Sequence, residues 1–238
     1  MKIIIIIGAT SGIGKEMAIQ YCKAGNIVGI TGRRTELLNQ LQAQFPNQIF
    51  TEAFDVTGTE NRKHLELLLK KTGGMDVFIY NSGTADISKN LNWELDKLIT
   101  QTNVNGFIEL TNYAFNYFQK QGHGQIAGIS SVASNRGNSW APAYSASKAF
   151  MSNYLEGIHI KAERMKLNIA VTDIQPGFVD TPMAKGDAVF WKATVTKAAT
   201  QIITAINKRK KKAYITKRWM LFAWIMKLAP DFIFKKVG

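Results

Sequence analysis

Ile3-Ile4-Ile5-Ile6-Ile7 leads directly into Gly8-Ala9-Thr10-Ser11-Gly12-Ile13-Gly14, and these twelve residues decide the fold. Five β-branched apolar residues in a row predict a strand buried on both faces, as in a parallel sheet. Gly8 then permits a tight turn, Gly12 lets the backbone approach a pyrophosphate, and Gly14 allows close packing of a helix on the strand. Because a helix amino terminus attracts phosphate, the pattern indicates nucleotide binding, with a structural turn as the alternative. The predicted nucleotide-binding residues of this turn are Gly8, Thr10, Ser11, Gly12, Ile13 and Gly14.

Strand-like apolar runs and helical patterns alternate along the rest of the chain. Further strands are predicted near 27–31, 49–54, 77–80, 125–130 and 168–174, and helices near 13–24, 36–44, 60–71, 94–121 and 144–165. This alternation requires right-handed crossovers and a parallel sheet covered on both faces. We expect one α/β domain over residues 1–207, with a Rossmann-type doubly wound parallel sheet in three α/β/α layers. Residues 208–238 are predicted to be a basic, aromatic extension and not an independent domain.

Composition narrows the possible functions of this 238-residue chain. Residues 208–238 carry ten Lys/Arg against one acid, or +9, whereas residues 1–207 carry twenty against sixteen, or +4. The body is therefore only mildly basic, which argues against a nucleic-acid-binding face. A single cysteine, Cys22, fits a reducing, cytoplasmic compartment. The three scattered histidines do not have the spacing of metal ligands, and no apolar run is long enough to span a bilayer.

A tyrosine and a lysine stand four residues apart in Tyr144-Ser145-Ala146-Ser147-Lys148. On a helix, this spacing places both side chains on one face. A cation in that position is expected to lower the pKa of the Tyr144 phenol toward the working pH, as a general acid/base for carbonyl chemistry requires. The pair alone is common by chance, and the glycine turn in the same domain strengthens the interpretation.

The end of the second predicted strand discriminates between nicotinamide cofactors. An NAD site usually has an acid there to bind the ribose 2′-hydroxyl. This chain has Gly32-Arg33-Arg34, and guanidinium groups can bind a 2′-phosphate. The sequence therefore predicts NADP(H). Arg33 is the preferred ligand because it directly follows Gly32, and Arg34 is the alternative, which could simply be solvated.

These residues, with motifs after later strands, resemble the short-chain dehydrogenase/reductase family over about residues 3–182. The resemblance implies that Asp55-Val56 contacts the adenine and that Asn81-Ser82-Gly83 forms a turn beside the cofactor, with Asn81 and Gly83 as binding residues. It also implies that Pro176, Gly177 and Thr181 hold the nicotinamide carboxamide, and that Tyr144 and Lys148 contact the cofactor. Individually, each of these motifs could be a turn, a cap or a strand end.

The same resemblance implies four catalytic residues: Asn103, Ser131, Tyr144 and Lys148. Asn103 belongs to an Asn-x-x-Gly pattern, in which Asn105 is the less favoured reading, and Ser131 precedes Tyr144 by thirteen residues. In reduction, Ser131 would bind the carbonyl oxygen, Tyr144 would donate the proton, and Lys148 would lower the tyrosine pKa and hold the nicotinamide ribose. Asn103 would support a water chain.

Two positions depart from the family pattern. Ile7 replaces the usual threonine before the first glycine, and Tyr80 replaces the first asparagine of the Asn-Asn-Ala-Gly turn. Both are expected to perturb local hydrogen bonding. The resemblance implies an NADP(H)-dependent enzyme that interconverts a carbonyl and a secondary alcohol on an apolar small molecule, in a homo-oligomer. The alternatives are a 3-ketoacyl thioester reductase and an inactive NADP-binding regulator.

The carboxyl-terminal part of the chain has several open interpretations. Phe190 and Trp191 indicate an apolar substrate face or, equally, packing on the core. Basic residues at 208–212 and 217–218 precede the apolar segment 219–226, as in an interfacial membrane anchor. The alternatives are that this segment covers the substrate cleft or pairs with a second subunit. Pro230 favours two short helices over one.

Overall fold

Seven parallel strands form one sheet in the order β3-β2-β1-β4-β5-β6-β7. The computed structural model describes residues 1–86, 90–183, 191–228 and 230. The strands are β1 (Ile3–Ile7), β2 (Ile27–Gly32), β3 (Ile49–Ala53), β4 (Val77–Tyr80), β5 (His123–Ile129), β6 (Asn168–Pro176) and β7 (Lys212–Ile215).

Helices cover both faces of the sheet. They are α1 (Gly12–Lys23), α2 (Thr35–Gln44), α3 (Asn61–Thr72), α4 (Trp93–Thr100), α5 (Gly106–Gln121), α6 (Pro142–Arg164), α7 (Val195–Asn207) and α8 (Arg218–Leu228). A π-helical turn, Gln101–Asn105, joins α4 to α5, and a 3-10 turn, Val132–Asn135, follows β5.

The alternation of side chains along β1 explains why the sheet has two cores. Ile4 and Ile6 pack in the core that α1, α2 and α7 complete, whereas Ile5 and Ile7 pack in the core under α3, α5 and α6. Successive residues of a strand point to opposite faces, so five consecutive isoleucines fit a strand that is covered on both sides. The expected three-layer Rossmann-type fold is confirmed.

The order of the strands places the functional site. The chain runs from β1 outward to β3 and then returns to β4 on the other side of β1. The loops after β1 and β4 therefore diverge at the carboxyl edge of the sheet and leave a crevice, where ligands of such folds bind. The glycine turn and residues 81–84 lie at this crevice.

Three features differ from the sequence-based expectations. The helix predicted over 94–121 is interrupted by the π-helical turn. Helix α7 was not predicted, and neither was β7, which pairs with β6 inside the segment expected to be an extension. Among the residues that the structure describes, no helix has the length and apolarity needed to cross a membrane. The second helix expected beyond Pro230 lies outside the described residues.

Candidate active site

In the glycine turn between β1 and α1, a side chain in place of the glycine hydrogen would collide with neighbouring atoms. Gly8 has φ +87°, and a Cβ there would meet the Ser82 backbone nitrogen at 2.8 Å. A Cβ on Gly14 would lie 2.2 Å from the Gly8 carbonyl oxygen. Ser11 is the N-cap of α1 and makes no side-chain capping bond, so the first amides of the helix are available to an anion. These features fit a dinucleotide phosphate.

Residues from two later loops close around this turn. The Asn81 side-chain amide donates to the Gly8 carbonyl oxygen at 2.6 Å, which ties the end of β4 to the turn. Thr181 faces Gly12, whose Cβ would lie 3.2 Å from the threonine methyl. Ile13 packs against the core of the α1 face. Thr181 was predicted for the nicotinamide loop, and the structure brings it to the glycine turn.

The two arginines after β2 have different partners. Arg34 donates to the Thr10 hydroxyl at 2.6 Å and to the Ser11 hydroxyl at 3.0 Å, so it lies over the glycine turn and is not simply solvated. Arg33 instead pairs with Asp55 at 3.5 Å. Both guanidinium groups are at the crevice, and Arg34 is the closer of the two to the turn residues.

The loop after β3 approaches the π-helical turn. Asp55 accepts a hydrogen bond from the Thr57 amide at 3.0 Å, which fixes the direction of its carboxylate. Val56 is buried, and a Cβ on Gly106 would lie 2.6 Å from the Val56 carbonyl oxygen. The Asn-x-x-Gly glycine is therefore needed for this close approach.

Asn103 is fully buried in the π-helical turn. Its side chain accepts from the Thr84 amide and donates to the Thr84 carbonyl oxygen, both at 2.9 Å, and it also donates to the Ser147 hydroxyl at 2.9 Å. Asn105 is exposed. Asn103 thus joins the loop after β4 to the helix that carries Tyr144, and Asn105 does not reach either.

Tyr80, one of the two departures from the family pattern, holds this turn. Its ring is fully buried, and its hydroxyl donates to the Thr102 carbonyl oxygen at 2.6 Å. Burial and the Asp55 charge raise the pKa of Tyr80, so the hydroxyl remains a donor. The expected change in local hydrogen bonding is a side-chain bond to the backbone beside Asn103. Ile7, the other departure, is a buried core residue.

Ser131 and Tyr144 meet at the mouth of the crevice. Ser131 follows β5, and its hydroxyl accepts from the Ala133 amide at 3.1 Å and donates to the Pro176 carbonyl oxygen at 3.5 Å. Burial raises the pKa of Tyr144, and the nearby Ser131 hydroxyl opposes that rise. The prediction that the Tyr144 pKa is lowered is therefore wrong for this structure.

The position of Lys148 explains that difference. Its ammonium group donates to the Ile129 carbonyl oxygen at 2.8 Å and lies 5.7 Å from the centre of the Tyr144 ring. A Cβ on Gly83 would lie 3.3 Å from the same nitrogen. Burial lowers the pKa of Lys148 to about 8, and the Asp173 carboxylate opposes this shift. The lysine is on the predicted face of α6, but its charge is directed to the backbone of β5.

A buried polar network behind Ser131 was missed in the sequence. The Ser130 hydroxyl donates to Asp173, whose carboxylate also accepts from Gln175 at 2.7 Å and lies 3.7 Å from the ammonium group of Lys212. Asp173 is 3% exposed. The available signal was an acid in the middle of an apolar strand, Ile169 to Ile174.

Pro176 ends β6 and Gly177 directly follows it. Packing is the reason that position 177 needs a glycine. A Cβ on Gly177 would lie 2.0 Å from the indole of Trp219, the buried tryptophan of α8. The Trp191 and Trp219 rings are 5.8 Å apart, and Trp191 is partly exposed. Phe190 lies outside the described residues. Trp219 was not identified as a residue of this region from the sequence.

A recess beside Tyr144 is open to solvent. Its walls combine apolar side chains with acids and amides from the start of α4 and the loop before α6. The lining residues include Asn90, Leu91, Leu95, Asp96, Trp140 and Tyr144. The recess has a volume of about 20 Å³, little more than the space of one water molecule, and Tyr144 forms part of its wall.

An oxidoreductase site of the short-chain type is defined by three features together. They are the crevice at the glycine turn, the buried Asn103, and the group formed by Ser131, Tyr144 and Lys148. The family model for short chain dehydrogenases matches residues 2–211. The chain therefore belongs to the short-chain dehydrogenase/reductase family, which binds a nicotinamide cofactor. An uncharacterized oxidoreductase from Myxococcus xanthus is 30% identical over 185 residues, covering 75% of this chain and 72% of that protein.

Solved structures show the same fold. A short-chain dehydrogenase from Streptomyces avermitilis has a TM-score of 0.84 at 24% identity, covering all of this chain and 96% of its own. ElxO with NADP bound has a TM-score of 0.80 at 21% identity, covering 93% of this chain and 100% of its own. A 3-ketoacyl-(acyl-carrier-protein) reductase from Brucella melitensis, complexed with NADH, has a TM-score of 0.80 at 19% identity, covering 90% and 95%. At these identities the likeness concerns the fold alone.

Proposed function

We propose that this protein is an NADP(H)-dependent oxidoreductase that interconverts a carbonyl and a secondary alcohol on an apolar small molecule. The observation that carries the proposal is the position of Lys148 beside Tyr144, with its ammonium group 5.7 Å from the centre of the tyrosine ring, and of Ser131 near the Tyr144 hydroxyl. The loop after β4 reaches this group, because a Cβ on Gly83 would lie 3.3 Å from the Lys148 nitrogen. The cofactor, when bound, supplies the hydride.

The chain's own residues orient the substrate and move its proton. Ser131 donates a hydrogen bond to the substrate oxygen, and Tyr144 donates its proton to that oxygen as negative charge develops. The raised pKa of Tyr144 keeps the phenol protonated before reduction. Lys148 is close enough to stabilise the phenolate that remains, and Asn103 fixes the helix and loop on either side of this group.

NADP(H) is favoured over NAD(H) by charge at the end of β2. Arg33 and Arg34 follow Gly32, where an NAD site usually has an acid. Arg34 bonds Thr10 and Ser11, so its guanidinium group is positioned above the glycine turn, where a 2′-phosphate could pair with it. Arg33 pairs with Asp55 and not with the turn, so Arg33 is proposed as the second ligand of the 2′-phosphate.

Cofactor preference is tested by titrating NADPH and NADH against the wild type and the Arg34→Ala and Arg33→Ala variants. NADPH affinity is expected to fall about tenfold or more in Arg34→Ala, because a charge-assisted hydrogen bond contributes about 1.5–3 kcal/mol. NADH affinity is expected to remain the same. Equal affinities for the two cofactors, unchanged in both variants, would reject the assignment.

Tyr144→Phe tests the activity itself. Turnover is expected to fall by about 10²–10⁴-fold or more, while NADPH binding persists. Tyr154→Phe, on the same helix, is the matched control, because the Tyr154 ring packs on Phe107 and Phe150 and its hydroxyl has no assigned role. Full activity in Tyr144→Phe would show that another group donates the proton.

The substrate is proposed to be apolar because Leu91 and Trp140 line the recess beside Tyr144 and are 83% and 54% exposed. A substrate panel should include aliphatic ketones, cyclic ketones and a 3-ketoacyl thioester, with NADPH oxidation as the readout. Reduction of the thioester alone would favour the ketoacyl reductase alternative. NADPH binding with no turnover of any substrate would favour the regulator.

A homo-oligomer in the cytoplasm completes the proposal. Family members typically assemble, and the groove between α5 and α6 is lined by the buried Phe115 and by the partly exposed Tyr154 and Ile158. This groove offers apolar surface for a second copy. Light scattering coupled to size exclusion measures the mass, and a monomer at micromolar concentration would contradict this part of the proposal.

A further inference from the structure

Helix α8 has one buried face and one exposed apolar face. Trp219 and Ala223 are almost completely buried, and Trp219 packs on Gly177. The opposite face has large apolar side chains at 49–74% exposure: Met220, Leu221, Trp224, Ile225 and Leu228. Five such residues in three turns form a contiguous patch of the kind that marks a docking surface.

Helix α8 lies beside the candidate active site through its other face. It contacts the 3-10 turn that directly follows Ser131, and Trp219 packs on Gly177. Arg136, at the end of that turn, donates to the Met226 carbonyl oxygen at 3.4 Å. Met226 is on the same side of the helix as Trp219, so binding at the exposed face would leave these contacts in place.

The charges on α8 and in the segment before it have one sign. Lys217 and Arg218 stand at its amino end and Lys227 at its carboxyl end, and residues 208–230 contain no acid. A second copy docked through the same face would bring these cations close to the same cations of the other subunit, because a two-fold interface presents the same patch on both subunits. An anionic lipid surface has the opposite charge, and its acyl boundary accepts tryptophan, leucine and isoleucine.

The lysine-rich cluster at 208–212 is not part of this surface. It lies at the amino end of β7, whereas α8 follows the carboxyl end, and a four-residue strand separates the two by about 13 Å. Lys211 and Lys212 face Glu156 and Asp173. The cations that matter at α8 are the three on its own ends.

We propose that the exposed face of α8 binds the surface of an anionic membrane. The apolar side chains enter the acyl boundary, and Lys217 and Lys227 meet the headgroups. The surface does not depend on the proposed reaction, and its test measures binding alone.

The test is flotation of the full chain with vesicles of phosphatidylcholine alone or of phosphatidylcholine with phosphatidylglycerol. The wild type is expected to float with the anionic vesicles and much less with the neutral ones, and salt is expected to release it. Leu221→Gln/Trp224→Gln/Ile225→Gln is expected to lower the bound fraction at least about tenfold, because each lost apolar contact weakens insertion. Lys217→Ala and Lys227→Ala are expected to lower affinity about fivefold each.

Leu67→Gln/Ile160→Gln is the control, since these residues are 39% and 40% exposed on α3 and α6, away from α8. It is expected to float like the wild type. Circular dichroism and the molecular mass are measured for every variant. A wild type that does not float at low salt overturns the proposal. A triple variant that floats normally also overturns it. If the only change in that variant is a smaller oligomer, the face is an interface between copies and the proposal is again overturned.

Discussion

At Gly14 of the glycine turn, the space for a side chain is closed by a backbone atom, whereas around Tyr144 the structure is held by contacts between side chains. A Cβ on Gly14 would be 2.2 Å from the Gly8 carbonyl oxygen, and no rotamer change can relieve that contact. Asn103, by contrast, is held by Ser147 and by the loop after β4, and Ser130 is held by Asp173. The first region is therefore defined by which residues are glycine, and the second by which polar side chains meet. Substitutions should act through sterics in one region and through charge and hydrogen bonding in the other.

Gly14→Ala is expected to have the largest effect. The new methyl group would have to displace the Gly8 carbonyl and the Asn81 amide, so the variant is expected to lose about 3 kcal/mol of unfolding free energy and to bind cofactor poorly. Urea denaturation and NADPH titration measure the two effects.

Gly157→Ala is the matched control for that substitution. Gly157 is inside α6, and a Cβ there meets no heavy atom within 4 Å. Because alanine is a better helix former than glycine, this variant is expected to gain up to about 1 kcal/mol. Equal stability of the two variants would show that the glycine turn can relax, and the contrast between the two regions would disappear.

Asp173→Asn tests the side-chain region and is expected to have the next largest effect. Lys148 is cationic below its pKa of about 8 and neutral above it, so reduction is expected to slow as the pH rises through that value. The Asp173 charge raises the pKa of Lys148. Removing it lowers that pKa, so the decline begins at lower pH and the rate near pH 8 falls several-fold.

The readout is the pH profile of kcat, with Asp180→Asn as the control. Asp180 is exposed and pairs with Lys192 at 3.4 Å, so its profile is expected to match the wild type. Asparagine keeps one acceptor, for the Ser130 hydroxyl, but its amide nitrogen faces the Gln175 amide, so the variant also loses a hydrogen bond. The shift of the pH profile separates the effect of the charge from this loss. A uniform loss of activity at every pH would mean that Asp173 acts only through structure.

Much of the fold could be predicted because its determinants are local. Ile3–Ile7 and the glycines after it define a strand, a turn and a helix without reference to the rest of the chain. Asn103 and Ser131 were found at their positions in the family pattern, and the structure brings both toward α6. The direction in which the Lys148 ammonium group points was not predictable, since it depends on a hydrogen bond to the Ile129 carbonyl oxygen in β5.

The elements that were missed depend on contacts between distant segments. In the sequence, Asp173 interrupts the apolar pattern of β6. In the fold, its carboxylate accepts hydrogen bonds from Ser130, which directly follows β5, and from Gln175. Trp219 packs on Gly177 across 42 positions of sequence, and no local pattern joins the two. For the same reason, the short strand β7 could not be told from the basic segment around it.

Tyr80→Phe is expected to have a smaller effect, on stability. The change removes the 2.6 Å hydrogen bond to the Thr102 carbonyl oxygen, which is expected to cost about 1 kcal/mol. Tyr21→Phe is the control, because the Tyr21 hydroxyl is buried and has no hydrogen-bond partner among the described residues. That variant is expected to be neutral or slightly stabilised. Thermal denaturation compares them, and equal melting temperatures would mean that the Tyr80 bond contributes nothing to the π-helical turn.

Lys212→Met is expected to have the smallest effect, and one of opposite sign to Asp173→Asn. Lys212 lies 3.7 Å from the Asp173 carboxylate and is 44% exposed, so solvent screens much of its charge. Its cation offsets part of the field that Asp173 exerts on Lys148. Without it, the pKa of Lys148 rises slightly, and the decline in kcat moves to higher pH. If Lys212→Met and Asp173→Asn moved the profile in the same direction, the electrostatic account of the side-chain region would be wrong, because removing opposite charges from one ion pair must shift a neighbouring cation in opposite directions.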